Sequence, residues 1–218
     1  MSELPLPASQ PTSSNVQGNR LSHWAKIARR IRVPMGFLFA LVFVVHLYFL
    51  PPTYKSVLLS LLLVVPGTAL RAYASGYVKK NAELAVAGPY AYTRNPLYLG
   101  SMLMAFGFAA ASRSWVILIL LAALFAIIYV PTILSEEEFL RRTFPSFQSY
   151  AHHVPRLFPR FTPARFPVEA TGATASDIDS NGFSPALYAR HREYNAALGA
   201  VAIYAVLLGR IVFGQHRF

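Results

Sequence analysis

SWVILILLAALFAIIYVPTIL, residues 114–134, contains no Asp, Glu, Lys or Arg. A helix needs about 20 mostly apolar residues to cross the hydrocarbon core of a bilayer, and this run is long enough. It ends in Glu136-Glu137-Glu138 and Arg141-Arg142, so an apolar block gives way within two residues to dense charge. Four further blocks surround it. Residues 33–50 lack charge, with Pro34 in the first turn and Pro51-Pro52 as a stop. Residues 54–70 are interrupted by Pro66-Gly67, which predicts a kinked or tilted helix with Lys55 and Arg71 snorkelling at opposite ends. Residues 97–111 are separated from the opening run only by Ser112-Arg113-Ser114, a tight turn between antiparallel helices. Residues 195–213 contain Arg210 near their end, at an expected interface. The fold class is all-α, a multi-span transmembrane helical bundle with five expected spans. Gly100, Ser101, Ala105 and Gly107 let the third helix approach its neighbours closely.

The composition agrees. Of 218 residues, 55% are hydrophobic and 13% charged, against roughly 25% charged in a soluble domain. A net charge of +11 invites a nucleic-acid reading, but the basic residues flank apolar blocks, where lipid head groups and the orientation rule account for them. No nucleic-acid partner is expected. Cysteine is absent, which excludes disulfides, zinc–thiolate sites and a cysteine nucleophile. The six histidines are scattered without an HExxH pair, so no metal site is expected. His46 reads as an intramembrane hydrogen-bonding group or an outer-interface residue.

Residues 1–19 lack the pattern of a cleaved signal peptide and read as a flexible tail. The expected organisation is a flexible basic region over 1–32, a membrane core over 33–161, a linker and juxtamembrane segment over 162–194, and a hydrophobic helix and tail over 195–218. Basic residues cluster before the first span, after the second and after the fourth. The positive-inside rule therefore predicts a cytoplasmic amino terminus, with the conspicuous polar segments on the same side and the carboxyl terminus outside.

Two polar segments stand out. The first, Gly88-Pro89-Tyr90-Ala91-Tyr92-Thr93-Arg94-Asn95-Pro96-Leu97-Tyr98-Leu99-Gly100, is dense in turn formers and aromatics. Pro96 fits the first turn of a helix, and the backbone after Tyr90 is expected to present unpaired N–H groups that favour an anionic group. The second runs from Glu136 through Arg141, Phe144 and Tyr150 to Val154-Pro155-Arg156. Three adjacent acids beside a span need water, cations or a ligand, and Glu137 with Arg141 has the spacing of an i,i+4 pair. Together the segments can combine Arg94 for a carboxylate, Glu136 or Glu137 for an ammonium or hydroxyl, and aromatic rings for a cation or planar base. Arg190-His191-Arg192-Glu193-Tyr194 reads as an anchor for the last helix or a closure of the cavity.

Arg71-Ala72-Tyr73-Ala74-Ser75-Gly76, the 88–100 motif, Glu136-Glu137 with Leu140 and Phe144, then Tyr150, Val154-Pro155-Arg156 and Pro159 resemble the isoprenylcysteine carboxyl methyltransferase and phospholipid methyltransferase superfamily of membrane enzymes. The resemblance implies S-adenosylmethionine as cofactor and a lipophilic methyl acceptor. It implies cofactor-binding roles for Tyr90, Tyr92, Arg94, Asn95, Tyr98, Leu99, Glu136 and Glu137, and places Arg156 and Tyr98 in the catalytic region. Asn95 departs from the Arg-His-Pro run of many relatives, and an amide cannot serve as an imidazole base. The acceptor stays open among a prenylcysteine-like carboxylate, a phospholipid amine, a quinol-like phenol and a hydrophobic thiol. Two alternatives stand beside this reading. A nicotinamide-dependent membrane reductase is suggested by related carboxyl-terminal features of sterol reductases, although the span count is short for one. A non-catalytic lipid-binding bundle is the other.

Overall fold

The computed structural model describes residues 13–79, 83–164 and 182–214, and every regular element among them is helical. α1 (Ser13–Phe49) begins well ahead of the apolar block expected from residue 33 and carries Pro34 within it. α2 (Tyr54–Ser75) opens on a reciprocal cap: the Ser56 N–H donates to Thr53 Oγ1 at 3.2 Å and the Thr53 N–H to Ser56 Oγ at 3.0 Å. Two N–H groups that a helix start leaves over are thereby satisfied. α2 continues through Pro66 as one element. A 3₁₀ turn, Gly88–Ala91, leads to α3 (Pro96–Ala111), which starts at the proline as expected. Arg113, at φ 58, makes the tight turn into α4 (Trp115–Leu124).

α4 passes through a π-helical turn, Phe125–Tyr129, into α5 (Val130–Thr143). Pro131 follows that turn directly; it has no N–H to donate and its ring crowds the preceding turn, which a locally widened helix relieves. α6 (Phe147–His153), α7 (Pro185–Arg190) and α8 (Tyr194–Gly214) are the remaining helices among the described residues. α2, the continuous stretch Trp115–Thr143 and the last helix over Tyr194–Phe213 are long and apolar enough to cross a membrane, and Pro34–Phe49 and Pro96–Ala111 are shorter apolar helices. The five expected blocks are all present as helices. Of the flexible tail expected over 1–19, residues 13–19 lie within α1; residues 1–12, and residues 165–181 of the expected 162–194 segment, lie outside the described residues.

Hydrogen bonds define how the helices run. Ser56 Oγ donates to the Ala111 carbonyl at 2.9 Å, joining the start of α2 to the end of α3. Further along, Gly67 and Gly100 face each other: a Cβ at Gly67 would lie 2.8 Å from the Gly100 carbonyl oxygen, and one at Gly100 2.7 Å from that of Gly67. The small residues of the third span thus act in close packing. Ser60 and Tyr204 hydroxyls meet at 2.8 Å between α2 and α8. Arg210 Nη2 donates to the Tyr48 carbonyl at 2.8 Å and its Nε to that of Leu47 at 3.2 Å, so α8 caps the carbonyl end of α1. His46 Nε2 is buried without a hydrogen-bond partner among the described residues.

Leu47, Val64, Phe108, Ile117 and Leu207 fill the bundle interior, while Leu58, Leu62, Trp115 and Val201 point outward. That inversion suits a hydrocarbon surround. A second cluster, Phe147, Tyr150 and Val154 with Leu140 and Phe144, forms a small core at one end.

Gly100→Val is expected to lower stability by about 1–3 kcal/mol through overpacking, read as an earlier midpoint in denaturant titration in detergent. Gly199→Ala adds a Cβ that meets nothing within 4 Å and is expected to hold or gain up to about 1 kcal/mol. Equal midpoints would contradict a tight α2–α3 contact.

Candidate functional site

The polar segments expected to meet do meet. Gly88 takes φ 58, and a side chain there would strike the Tyr77 ring at 2.5 Å, so glycine is required at the turn. Beyond it the chain is laced to residues 154–164. The Ala164 N–H donates to the Ala91 carbonyl at 2.9 Å, the Arg160 N–H to that of Tyr92 at 3.0 Å, and the Arg94 N–H to that of Pro155 at 2.9 Å. The Thr93 hydroxyl donates to the Leu157 carbonyl at 2.9 Å, and Asn95 Nδ2 to that of Arg156 at 2.9 Å. The Tyr150 hydroxyl donates to the Tyr90 carbonyl at 2.8 Å. The N–H groups of Tyr92 and Thr93 return to Pro89 O. Against the expectation of unpaired N–H groups after Tyr90, those of Tyr92 and Thr93 are taken by the turn and that of Arg94 by Pro155.

Glu137, on α5, is the buried centre of this assembly. Arg156 Nε lies 3.0 Å from both of its oxygens and Arg156 Nη2 2.9 Å from Oε2, while Arg94 Nη1 lies 3.4 Å from Oε1. Side-chain exposures of 6% for Glu137 and 12% for Arg94, against 50% for Arg156, show the carboxylate sealed from inside and reached from the rim. The expected Glu137–Arg141 pair is replaced by these two partners, and the i,i+4 pair of α5 is Glu138–Arg142 at 2.6 Å. Burial pulls the Arg94 guanidinium below its ordinary pKa, and Glu137 opposes that pull. Arg94 Nε is buried without a hydrogen-bond partner among the described residues.

Glu136 faces another way. Its Oε1 accepts from the Tyr98 hydroxyl at 2.7 Å. The Tyr98 ring meets Tyr129 edge-on at 5.8 Å, and Tyr129 stacks on Phe125 at 4.3 Å. The π-helical turn thus supplies an aromatic wall beside a carboxylate, a contribution that sequence reasoning missed and that Pro131 signalled.

Tyr92 and Leu99 fall elsewhere. They line an apolar cleft of about 540 Å³ together with Leu70 and Tyr73 of α2, Pro89, and Pro159. Residues 88–95 therefore lie between this cleft and the Glu137 cluster. Burial pushes the phenols of Tyr90 and Tyr150 well above their ordinary range; Glu193 and Glu136 add to the rise at Tyr90, and Tyr90 and Glu137 to that at Tyr150. Both stay protonated at neutral pH. Tyr77, beside the turn, is pushed up to about 12 by burial and by the Tyr73 hydroxyl 2.9 Å away.

The end of α2 is held by the carboxyl-terminal part. Arg71 does not snorkel: its Nη2 pairs with Glu193 Oε2 at 2.7 Å, and its Nη1 donates to the Ser101 hydroxyl and, at 3.4 Å, to the Leu97 carbonyl. His191 Nδ1 donates to the Ser75 carbonyl at 3.0 Å. Among the described residues no three His, Asp or Glu side chains gather as a metal site.

Residues 56–146 match the model of the phospholipid methyltransferase family, so the resemblance read from the motifs is borne out. The cobalt-zinc-cadmium resistance protein CzcN of Cupriavidus metallidurans and the nickel-cobalt-cadmium resistance protein NccN of Alcaligenes xylosoxydans xylosoxydans are each 39% identical over 90 residues, 41% of this chain and 41% of the relative. The match thus spans about two-fifths of those proteins' length. No solved structure matches the chain.

Glu137→Gln leaves two guanidinium groups without their counter-ion. It is expected to cost about 2–4 kcal/mol of stability, below the full value for a buried pair because Arg156 is half exposed. Glu136→Gln keeps an acceptor for Tyr98 and is expected to cost less than about 1 kcal/mol. Denaturant unfolding in detergent checks both; equal losses would refute the division of roles.

Proposed function

We propose that this chain is an S-adenosylmethionine-dependent methyltransferase acting on a lipophilic acceptor, with its site on the cytoplasmic face of the membrane. The observation that carries the proposal is the bracing of the 88–95 motif by Glu137, which leaves Glu136, Tyr98 and Tyr129 grouped beside it within a segment matching a methyltransferase family. The donor set suits a ligand bearing an ammonium, a carboxylate, hydroxyls and a planar base. Glu136 offers its second oxygen to a hydroxyl or ammonium, Tyr98 and Tyr129 offer ring faces and edges, and Arg94 Nε, without a partner among the described residues, offers a donor.

When bound, the cofactor supplies an electrophilic methyl group. The chain's own part is positioning and electrostatics. Glu136 is assigned the ligand-holding role and Glu137 the bracing role, with Arg156 acting through Glu137. Asn95 ties the motif to the Arg156 carbonyl and takes no proton. Tyr90 and Tyr150 stay protonated, so neither serves as a base. Such a site suits an acceptor whose lone pair is already available, a lipid carboxylate foremost. The apolar cleft beside Leu70, Tyr73 and Leu99 suits its hydrocarbon part. Basic flanks support the cytoplasmic orientation. The metal resistance in the relatives' names belongs to those proteins.

The protein in nanodiscs is expected to bind S-adenosylmethionine saturably and to transfer labelled methyl to a component of fractionated native membrane lipids, identified by mass spectrometry. Glu136→Gln is expected to weaken cofactor binding about tenfold or more, and Tyr98→Phe by less. Folded protein without saturable binding would sink the proposal, and selective NADPH binding with acceptor-dependent oxidation would put a reductase in its place.

A further inference from the structure

The last turn of α2 is gripped by a stretch of chain outside the family-matched segment. The Phe183 ring stacks on Tyr73 at 6.0 Å, the Ser184 N–H donates to the Gly76 carbonyl at 3.0 Å, His191 reaches the Ser75 carbonyl, and Glu193 pairs with Arg71. A Cβ on Gly76 would lie 2.3 Å from the Phe183 ring, so the fit is close. Glu193 is the only acidic residue after Asp179, and its carboxylate is largely buried, with 14% side-chain exposure.

The pair reaches further than α2. Arg71, held on one side by Glu193, contacts Leu97 O and Ser101 on the other. Those two residues flank Tyr98 and Leu99, the first-turn residues of α3 that face Glu136 and the apolar cleft respectively. With Arg71 between them, the start of α8 and the start of α3 are joined through two charge-assisted contacts.

We infer that Glu193 is a positioning residue of the proposed methyl-transfer site, acting through Arg71 to fix the first turn of α3 and with it Tyr98. The inference rests on the cofactor-binding reading above and extends it to the carboxyl-terminal part of the chain. Losing the Glu193 charge leaves Arg71 partly buried without its counter-ion, free to withdraw from Leu97 and Ser101. Tyr98 then loses a defined position opposite Glu136. An effect of this kind on a neighbouring site is commonly about tenfold in affinity.

The test measures the dissociation constant for S-adenosylmethionine on the full chain in nanodiscs. A dissociation constant, unlike a signal amplitude, does not depend on the fraction of protein folded. Glu193→Gln is expected to raise it about tenfold, Glu193→Asp, which keeps the charge beside Arg71, to raise it clearly less, and Glu138→Gln, on the exposed Glu138–Arg142 pair, to change nothing. If the unaltered protein binds and Glu193→Gln binds equally well, the positioning role is overturned while the cofactor reading stands. If Glu193→Asp binds no better than Glu193→Gln, the role is overturned as well. If the unaltered folded protein binds no cofactor, both fall together.

Discussion

A carboxylate buried between two guanidinium groups is the constraint on which the functional end of this bundle depends. Removing an ionised side chain from water costs several kcal/mol unless opposite charge and hydrogen bonds compensate. Glu137 meets that condition only when Arg94 and Arg156 both come to it. Those residues lie before α3, on α5 and beyond α6, so one charge requirement brings three separate stretches of chain to one place. The backbone bonds between residues 91–94 and 155–164 accompany that convergence. Breaking a buried ion pair is costly even where the intact pair adds little net stability, and here the pairing holds residues 88–95 against α5 and the returning 154–164 segment.

Residues 88–95 touch two environments. Arg94 reaches Glu137, whose neighbour Glu136 meets Tyr98, with the aromatic pair Tyr129 and Phe125 behind it. Tyr92 borders an apolar cleft together with Leu70, Tyr73 and Leu99.

Much of the architecture was legible in the residues because it follows from solvent transfer. Apolar blocks became helices, Pro96 opened α3, and Gly100 and Gly107 marked where backbones approach, whereas Gly67, read as part of a kink, is the residue that Gly100 meets. The helix start at Ser13 was not legible, since polar residues carry no transfer signal. Charge pairing was legible only in part. The spacing of Glu137 and Arg141 suggested a pair, but local spacing says nothing about a strand of chain that returns from Val154 to occupy the same carboxylate. The N–H groups after Tyr90 were misjudged for the same reason. Glu193 carried a usable clue in its isolation, yet its link to Arg71 spans more than a hundred residues and follows from how α8 packs on α2.

The π-helical turn at Phe125–Tyr129 bears on the three consecutive glutamates further along the same helix. Neighbouring residues on a helix point about 100° apart, so Glu136 meets Tyr98, Glu137 is buried and Glu138 lies exposed beside Arg142. Chemically identical side chains are sorted by rotational phase alone, and a widened turn upstream resets that phase. In a related chain carrying one residue more or fewer in that turn, the same Glu-Glu-Glu letters would exchange duties. The motif is therefore defined by its angular distance from α4, across that turn, as much as by its composition.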